Sequence, residues 1–154
     1  MSFRTAQIEG RFFYFDKDIV MIQIYLDGGC KPNPGQGGWA FIIIDGLKRF
    51  MRSGYVKEAT NNRMELTSAI EALKTIIENP LWKNKIDREK ITVYSDSEYV
   101  VNGSKKYDKL TSLSNEKQNI LVNHDLWVMF KAYQDMVGAE FIKVKAHGNN
   151  KYNN

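Results

Sequence analysis

The stretch from Ile22 to Asp27 limits what the rest of the chain can become. Ile22, Ile24 and Leu26 alternate with Gln23, Tyr25 and Asp27, the two-residue period of a strand with one buried face. That strand ends in a carboxylate. Behind it comes a loop dense in turn formers, Gly28-Gly29-Cys30-Lys31-Pro32-Asn33-Pro34-Gly35-Gln36-Gly37-Gly38. Trp39 to Ile44 is an apolar run expected to form a buried strand. Asp45-Gly46 signals a hairpin turn, and Leu47 to Tyr55 returns as a third strand. Three successive strands joined by short connections form an antiparallel meander.

Helical spacing takes over after Thr60-Asn61-Asn62, residues suited to capping. Leu66, Ala69, Ile70, Leu73, Ile76 and Ile77 recur on one face, and Pro80 is expected to end the helix. Ile91 to Tyr94 is a short strand delivering Ser95-Asp96; arriving after a helix, it is expected to lie parallel to the first strand. A short helix is predicted from Ser97 to Gly103. A lysine-punctuated polar stretch follows from Ser104 to Lys117. A helix rich in large apolar residues, Leu126, Met129, Phe130, Tyr133 and Met136, is expected from Asp125 to Val137, and a last strand runs from Glu140 to Lys145. The order β-β-β-α-β-α-(α)-β predicts an α/β fold whose mixed sheet, three antiparallel strands followed by parallel ones, is flanked by helices.

The 154 residues suit one domain. A net charge of +4 leans toward polyanions without requiring one. Cys30 is the single cysteine, so no intrachain disulfide framework is available. No apolar run approaches a membrane span, and Met1 to Gly10 lacks the apolar centre of a secretory signal. A cytoplasmic protein without membrane association, and a monomer, is expected.

Three acids stand where a fold presents chemistry: Asp27 and Asp96 at strand ends, Glu65 in the first turn of the long helix. Taken singly, each reads as a solvated charge, and Glu65 as a helix-dipole residue. Gathered together they would repel, and each would have to protonate or find a cation. Hard divalent ions with oxygen ligands meet that need. A pair of them can clamp an in-line phosphoryl displacement.

Four blocks set these acids in context. They are Tyr25-Leu26-Asp27-Gly28-Gly29-Cys30 with Asn33-Pro34-Gly35; Thr60-Asn61-Asn62-Arg63-Met64-Glu65-Leu66; Tyr94-Ser95-Asp96-Ser97-Glu98-Tyr99; and Val144-Lys145-Ala146-His147-Gly148. In order and spacing they resemble type 1 ribonuclease H, from about Ile22 to the end of the sequence. The resemblance implies a ribonuclease H-like fold with a five-stranded mixed sheet. It also implies endonucleolytic hydrolysis of the RNA strand of RNA–DNA hybrids by two Mg2+ ions, with Mn2+ able to substitute, giving 5′-phosphate and 3′-hydroxyl ends. Asp27 would bridge both ions, Glu65 and Asp96 would complete their ligation, and His147 would assist proton transfer or product release. His124 receives no role.

The resemblance extends to substrate binding. Backbone amides near Gly28 and Cys30, with the side chains of Asn33, Asn61 and Asn62, match positions that meet minor-groove groups. The 2′-hydroxyl is what separates RNA from DNA there, and carboxamides suit it because they donate and accept. Thr60 matches part of a pocket for a DNA phosphate, although Glu58 stands where relatives often carry a basic residue. Lys105 and Lys106, with Lys109 and Lys117, occupy the place of a basic handle; a plain solvated loop, diluted by Asp108 and Glu116, is the competing reading.

The family pattern continues past the histidine loop to an Asp opening a final helix, whereas the sequence in hand reaches Tyr152-Asn153-Asn154. The expected organisation is an N-terminal extension over 1–20, then a ribonuclease H domain over 21–154 without that helix, Met21 being an alternative start. A catalytically impaired hybrid-binding module is the alternative function; Glu98, beside Asp96, is the candidate to replace the fourth ligand if cleavage is retained. The aromatic run Phe12-Phe13-Tyr14-Phe15 is expected to form an extra strand or flap rather than a nucleic-acid arm.

Overall fold

The computed structural model describes residues 3–8, 11–16, 21–111 and 122–145. Strands β1 (Phe3–Ile8) and β2 (Arg11–Asp16) pair antiparallel as a two-stranded sheet of their own. The main sheet begins with β3 (Met21–Cys30), β4 (Gly35–Asp45) and β5 (Lys48–Ala59), the expected meander. Each strand is longer than its apolar run. The ladder from β3 to β4 carries on through Gly28↔Trp39 to Cys30↔Gly37, so Asp27 lies inside the strand rather than at its end. The hairpin between β4 and β5 closes in two residues, Gly46-Leu47, with Gly46 at φ 61. Glycine in that first loop position supplies the positive φ such tight hairpins need.

Helix α1 (Asn61–Glu78) follows directly, started by Thr60, whose hydroxyl accepts from the Arg63 amide at 3.2 Å. Its apolar stripe, including Leu66, Ala69, Ile70, Leu73 and Ile76, is buried with Ile22, Ile24, Leu26, Phe41 and Ile43 of the sheet. Pro80 does not simply stop the helical segment. It opens a second short helix, α2 (Pro80–Lys83), where its missing N–H and fixed φ suit the first position. That turn drives Trp82 fully into the core, its Nε1 donating to Asp45 at 3.1 Å.

β6 (Lys90–Ser95) then lies parallel to β3, pairing from Met21↔Lys90 to Tyr25↔Tyr94. α3 (Glu98–Ser104), α4 (Tyr107–Thr111) and α5 (His124–Val137) come next, and β7 (Glu140–Lys143) adds parallel to β6. The sheet order is β5-β4-β3-β6-β7, the predicted five-stranded mixed sheet.

α5 buries only part of its apolar surface: Phe130 lies in the core, and Leu126 and Tyr133 pack against it half-buried. Trp127, Phe130, Gln134 and Val137 are buried, while Met129 and Met136 are 44% and 59% exposed. Polar anchoring sets this rotation. The Trp127 ring sits over Gly103, where any Cβ would collide with it, and its Nε1 donates to the Tyr99 hydroxyl at 2.9 Å. Gln134 brackets Ala139, donating to its carbonyl at 2.7 Å and accepting from its amide at 3.2 Å. The lysine stretch is likewise not all loop, since α4 occupies its middle; Lys117 lies outside the described residues. Among the described residues no helix is long and apolar enough to cross a membrane.

Candidate active site

The two strand acids meet through register. β3 and β6 are adjacent and parallel, and their last pair is Tyr25↔Tyr94, with the two rings stacked at 4.9 Å. Counting two residues on along each chain reaches Asp27 and Asp96, which therefore emerge side by side where the parallel ladder ends. Beyond Tyr25, β3 continues only with β4, while the β6 chain turns away into α3. That split creates the opening.

Glu65 comes from α1, brought in by a missing side chain. A Cβ on Gly28 would fall 2.5 Å from the Met64 carbonyl carbon and 2.7 Å from the Glu65 amide nitrogen. Glycine alone lets the helix backbone lie against β3 there, one residue from Asp27. Gly28, read from sequence as a substrate-facing amide, thus has a packing role. Glu65 also lies beyond the first turn of α1, which holds no acid, so interaction with the helix dipole does not account for its position.

Burial raises the Glu65 pKa above the ordinary glutamate value; a hydrogen bond with Ser97 opposes the rise, and the charges of Asp96 and Asp27 add to it. Glu65 therefore feels the charge of both strand acids. Ser97, read in sequence as the start of a short helix, received no site role there; it is the N-cap of α3. It is 5% exposed, accepts from the Val100 amide at 3.2 Å, and its own amide donates to the Ser95 hydroxyl at 3.1 Å. One buried hydroxyl thus starts α3 and offsets part of the rise at Glu65.

Among the described residues, no group of three or more His, Cys, Asp or Glu side chains is arranged to hold a metal ion as it stands. The donor chemistry still suits a hard divalent cation: the three acids offer carboxylate oxygens only, and Glu65 bears repulsion from both neighbours that such a cation would remove. Glu98 does not join them. It is paired with Lys143 at 3.2 Å across to β7, so the stand-in role expected of it is not supported by its placement.

Of the positions expected to face substrate, Cys30, Asn33 and Asn61 bond chiefly to one another. The Cys30 amide donates to Asn61 Oδ1 at 2.8 Å, and the Asn61 amide donates to Asn33 Oδ1 at 3.2 Å. The Cys30 amide, expected to face substrate, is thereby engaged inside the protein. These bonds tie the turn-rich loop to the start of α1 and hold both carboxamides in place. Asn62 is exposed, Thr60 caps α1, and Lys105 and Lys106 are exposed at the end of α3. His147 lies outside the described residues.

Beside Asp27 opens a groove of about 780 Å3 whose lining includes Gly28, Cys30, Gly38, Trp39, Tyr55 and Asn61. Trp39 and Tyr55, one half-buried and one 65% exposed, were not singled out in sequence because nothing along the chain marks them as neighbours of Asp27.

A mixed sheet that gathers carboxylates where its antiparallel and parallel halves meet, with a groove running off across the antiparallel side, defines an α/β domain built around an acidic site. Residues 20–154 match the RNase H family, and the chain belongs to that family. It is 38% identical over 138 residues to the ribonuclease H of Acetivibrio thermocellus, covering 86% of this chain and 87% of that protein. It is 41% identical over 138 residues to the ribonuclease H of Chlorobium luteolum, covering 86% and 88%. The fold is similar to LC11-RNase H1, solved in complex with an RNA/DNA hybrid, with a TM-score of 0.60 at 23% identity over 80% of this chain and 85% of that one.

Proposed function

We propose that this ribonuclease H cuts internally within the RNA strand of RNA–DNA hybrids, with two Mg2+ ions held by Asp27, Glu65 and Asp96, and leaves 5′-phosphate and 3′-hydroxyl ends. The observation that carries the reading is the convergence of three acids from β3, α1 and the β6–α3 turn, at which Glu65 feels the charge of both neighbours. When bound, Mg2+, or Mn2+ in its place, supplies Lewis-acid activation of water and neutralises charge on the leaving oxygen. The rest falls to the chain's own residues. Ser97 orients the Glu65 carboxylate, and Gly28 keeps α1 close enough for it to reach the site. Asn33, which accepts from the Asn61 backbone amide, Asn61, which accepts from the Cys30 amide, and the exposed Asn62 present carboxamides to the minor-groove edge, where 2′-hydroxyls mark the RNA strand. Thr60 would meet a phosphate of the DNA strand, and Lys105 and Lys106 those further along. His147 would assist proton transfer or product release.

In this reading residues 21–154 form the catalytic domain and 1–20 an extension to it, and the protein works as a cytoplasmic monomer on nucleic acid. The direct test is cleavage of a hybrid labelled on the RNA strand, with Mg2+ and with Mn2+. The wild type should cut the RNA strand only. Asp27→Asn should cut nothing while keeping its circular dichroism spectrum. Tight hybrid binding by the wild type without any cut under either metal would establish the binding-module alternative, and wild-type rates in Asp27→Asn would reject the site itself.

A further inference from the structure

We propose that Arg63 is a positioning residue for the acidic site, acting through a clasp on α5 that joins the helix carrying Glu65 to the turn carrying Asp96. This rests on the metal-binding reading of that site. Arg63 forks onto Asp125, Nη1 donating to Oδ1 at 3.0 Å and Nη2 to Oδ2 at 2.9 Å. Nη1 also donates to Asn123 Oδ1 at 3.1 Å. Asn123 is 9% exposed and holds a left-handed backbone, φ 63, at the entry to α5. Its other amide end, Nδ2, donates to the Tyr99 hydroxyl at 3.1 Å, and Trp127 Nε1 donates to the same oxygen at 2.9 Å. Tyr99 stands on α3, three residues after Asp96. The path from Glu65 to Asp96 therefore runs Arg63, Asn123, Tyr99, with Asp125 and Trp127 anchoring it to α5.

The geometry gives the clasp its leverage. Arg63 and Glu65 are two residues apart on α1, so their side chains leave the helix about 200° apart around its axis. A fork gripping the Arg63 side fixes the rotation of α1, and that rotation decides where Glu65 lands. The backbone of the same turn is pressed against Gly28, which leaves rotation as the freedom still to be controlled. A guanidinium supplies two parallel, directed bonds where an ammonium supplies one point of charge. Both polar ends of the Asn123 amide are engaged within the protein, as suits a strut.

The experiment compares Arg63→Lys, which keeps the charge and loses the fork, and Tyr99→Phe, which keeps the ring and loses the junction. Three quantities are measured: Mn2+ binding by calorimetry without nucleic acid, thermal midpoint, and kcat and KM on a hybrid. Each variant should bind Mn2+ about tenfold more weakly and lose kcat by a similar factor. KM for the hybrid should stay within about twofold and the thermal midpoint within a few degrees. Wild-type Mn2+ affinity in both variants overturns the proposal. So does a change confined to KM, which would make these residues substrate contacts, and so does a wild type that takes up no Mn2+. A wild type that binds Mn2+ yet cuts no hybrid defeats the nuclease reading alone, and the Mn2+ isotherms still decide the clasp.

Discussion

In Glu65 a single carboxyl records its surroundings: burial raises its pKa, the Ser97 hydroxyl draws it back, and Asp96 and Asp27 push it up again. A carboxyl whose pKa is raised by folding holds its proton more firmly in the folded chain than in the unfolded one. Its contribution is therefore most favourable below the ordinary glutamate range and is lost as pH rises from there through the raised folded value. Asp125, lowered chiefly by its bond to Arg63, runs the other way: its contribution is present above the ordinary aspartate range and is lost as pH falls. Glu65→Gln removes the first effect and spares the second. In chelator at neutral pH this variant should melt above the wild type, and the gap should close as the buffer is taken into mild acid. A gap that persists unchanged into acid would mean that charge is not its source. Adding Mg2+ should raise the wild-type midpoint more than that of the variant. Periodicity put Asp27 and Asp96 near strand ends and Glu65 near the start of α1; only the resemblance of their flanking blocks joined them into one expected site. The bonds of Glu98 and of the Cys30 amide were not legible because their partners, Lys143 and Asn61, lie 45 and 31 positions away.

Between elements, the decisive contact is β3 against α1 at Gly28. Filling that space with one methyl group meets backbone on the other side, and backbone yields less readily than a side chain. Gly28→Ala should cost about 1–3 kcal/mol of stability, as other overpacked sites do. It should also reduce cleavage by a factor on the order of 100, because small displacements of catalytic groups are expensive. Urea unfolding and the hybrid assay check the two arms separately; loss of stability with full activity would mean that Glu65 tolerates the shift. The same scale explains which elements the sequence could announce. The meander, α1 and β6 follow from apolar period and turn residues. The inward face of α5 did not, since the exposed Met129 and Met136 are as apolar along the chain as the buried Phe130. What turns the helix is a set of polar bonds from Trp127 and Gln134. Helix α2 escaped notice because Pro80 reads equally as the stop of one helix and the start of the next.

Across the whole molecule, a modest positive charge is distributed so that Lys105 and Lys106 stand exposed at the end of α3. If both meet phosphates, replacing them with alanine should weaken hybrid binding and flatten its salt dependence. The slope of log affinity against log salt should fall in magnitude by about 2, near one unit for each contact removed. Binding titrations at several salt concentrations decide this; an unchanged slope would assign the lysines to a solvated surface. The parallel direction of β6 was readable from the helix that precedes it, whereas its place beside β3 rather than β5 is given by the sheet order alone.

That parallel pairing has a consequence for when the molecule becomes dangerous to RNA. Asp27 is made early in synthesis, but its neighbour Asp96 arrives only after α1 and α2 have been completed and β6 has crossed back beside β3. No local hairpin can bring the two acids together. A chain still emerging from the ribosome therefore carries its first acid without its partner, and cutting power is acquired by long-range docking rather than by any segment alone.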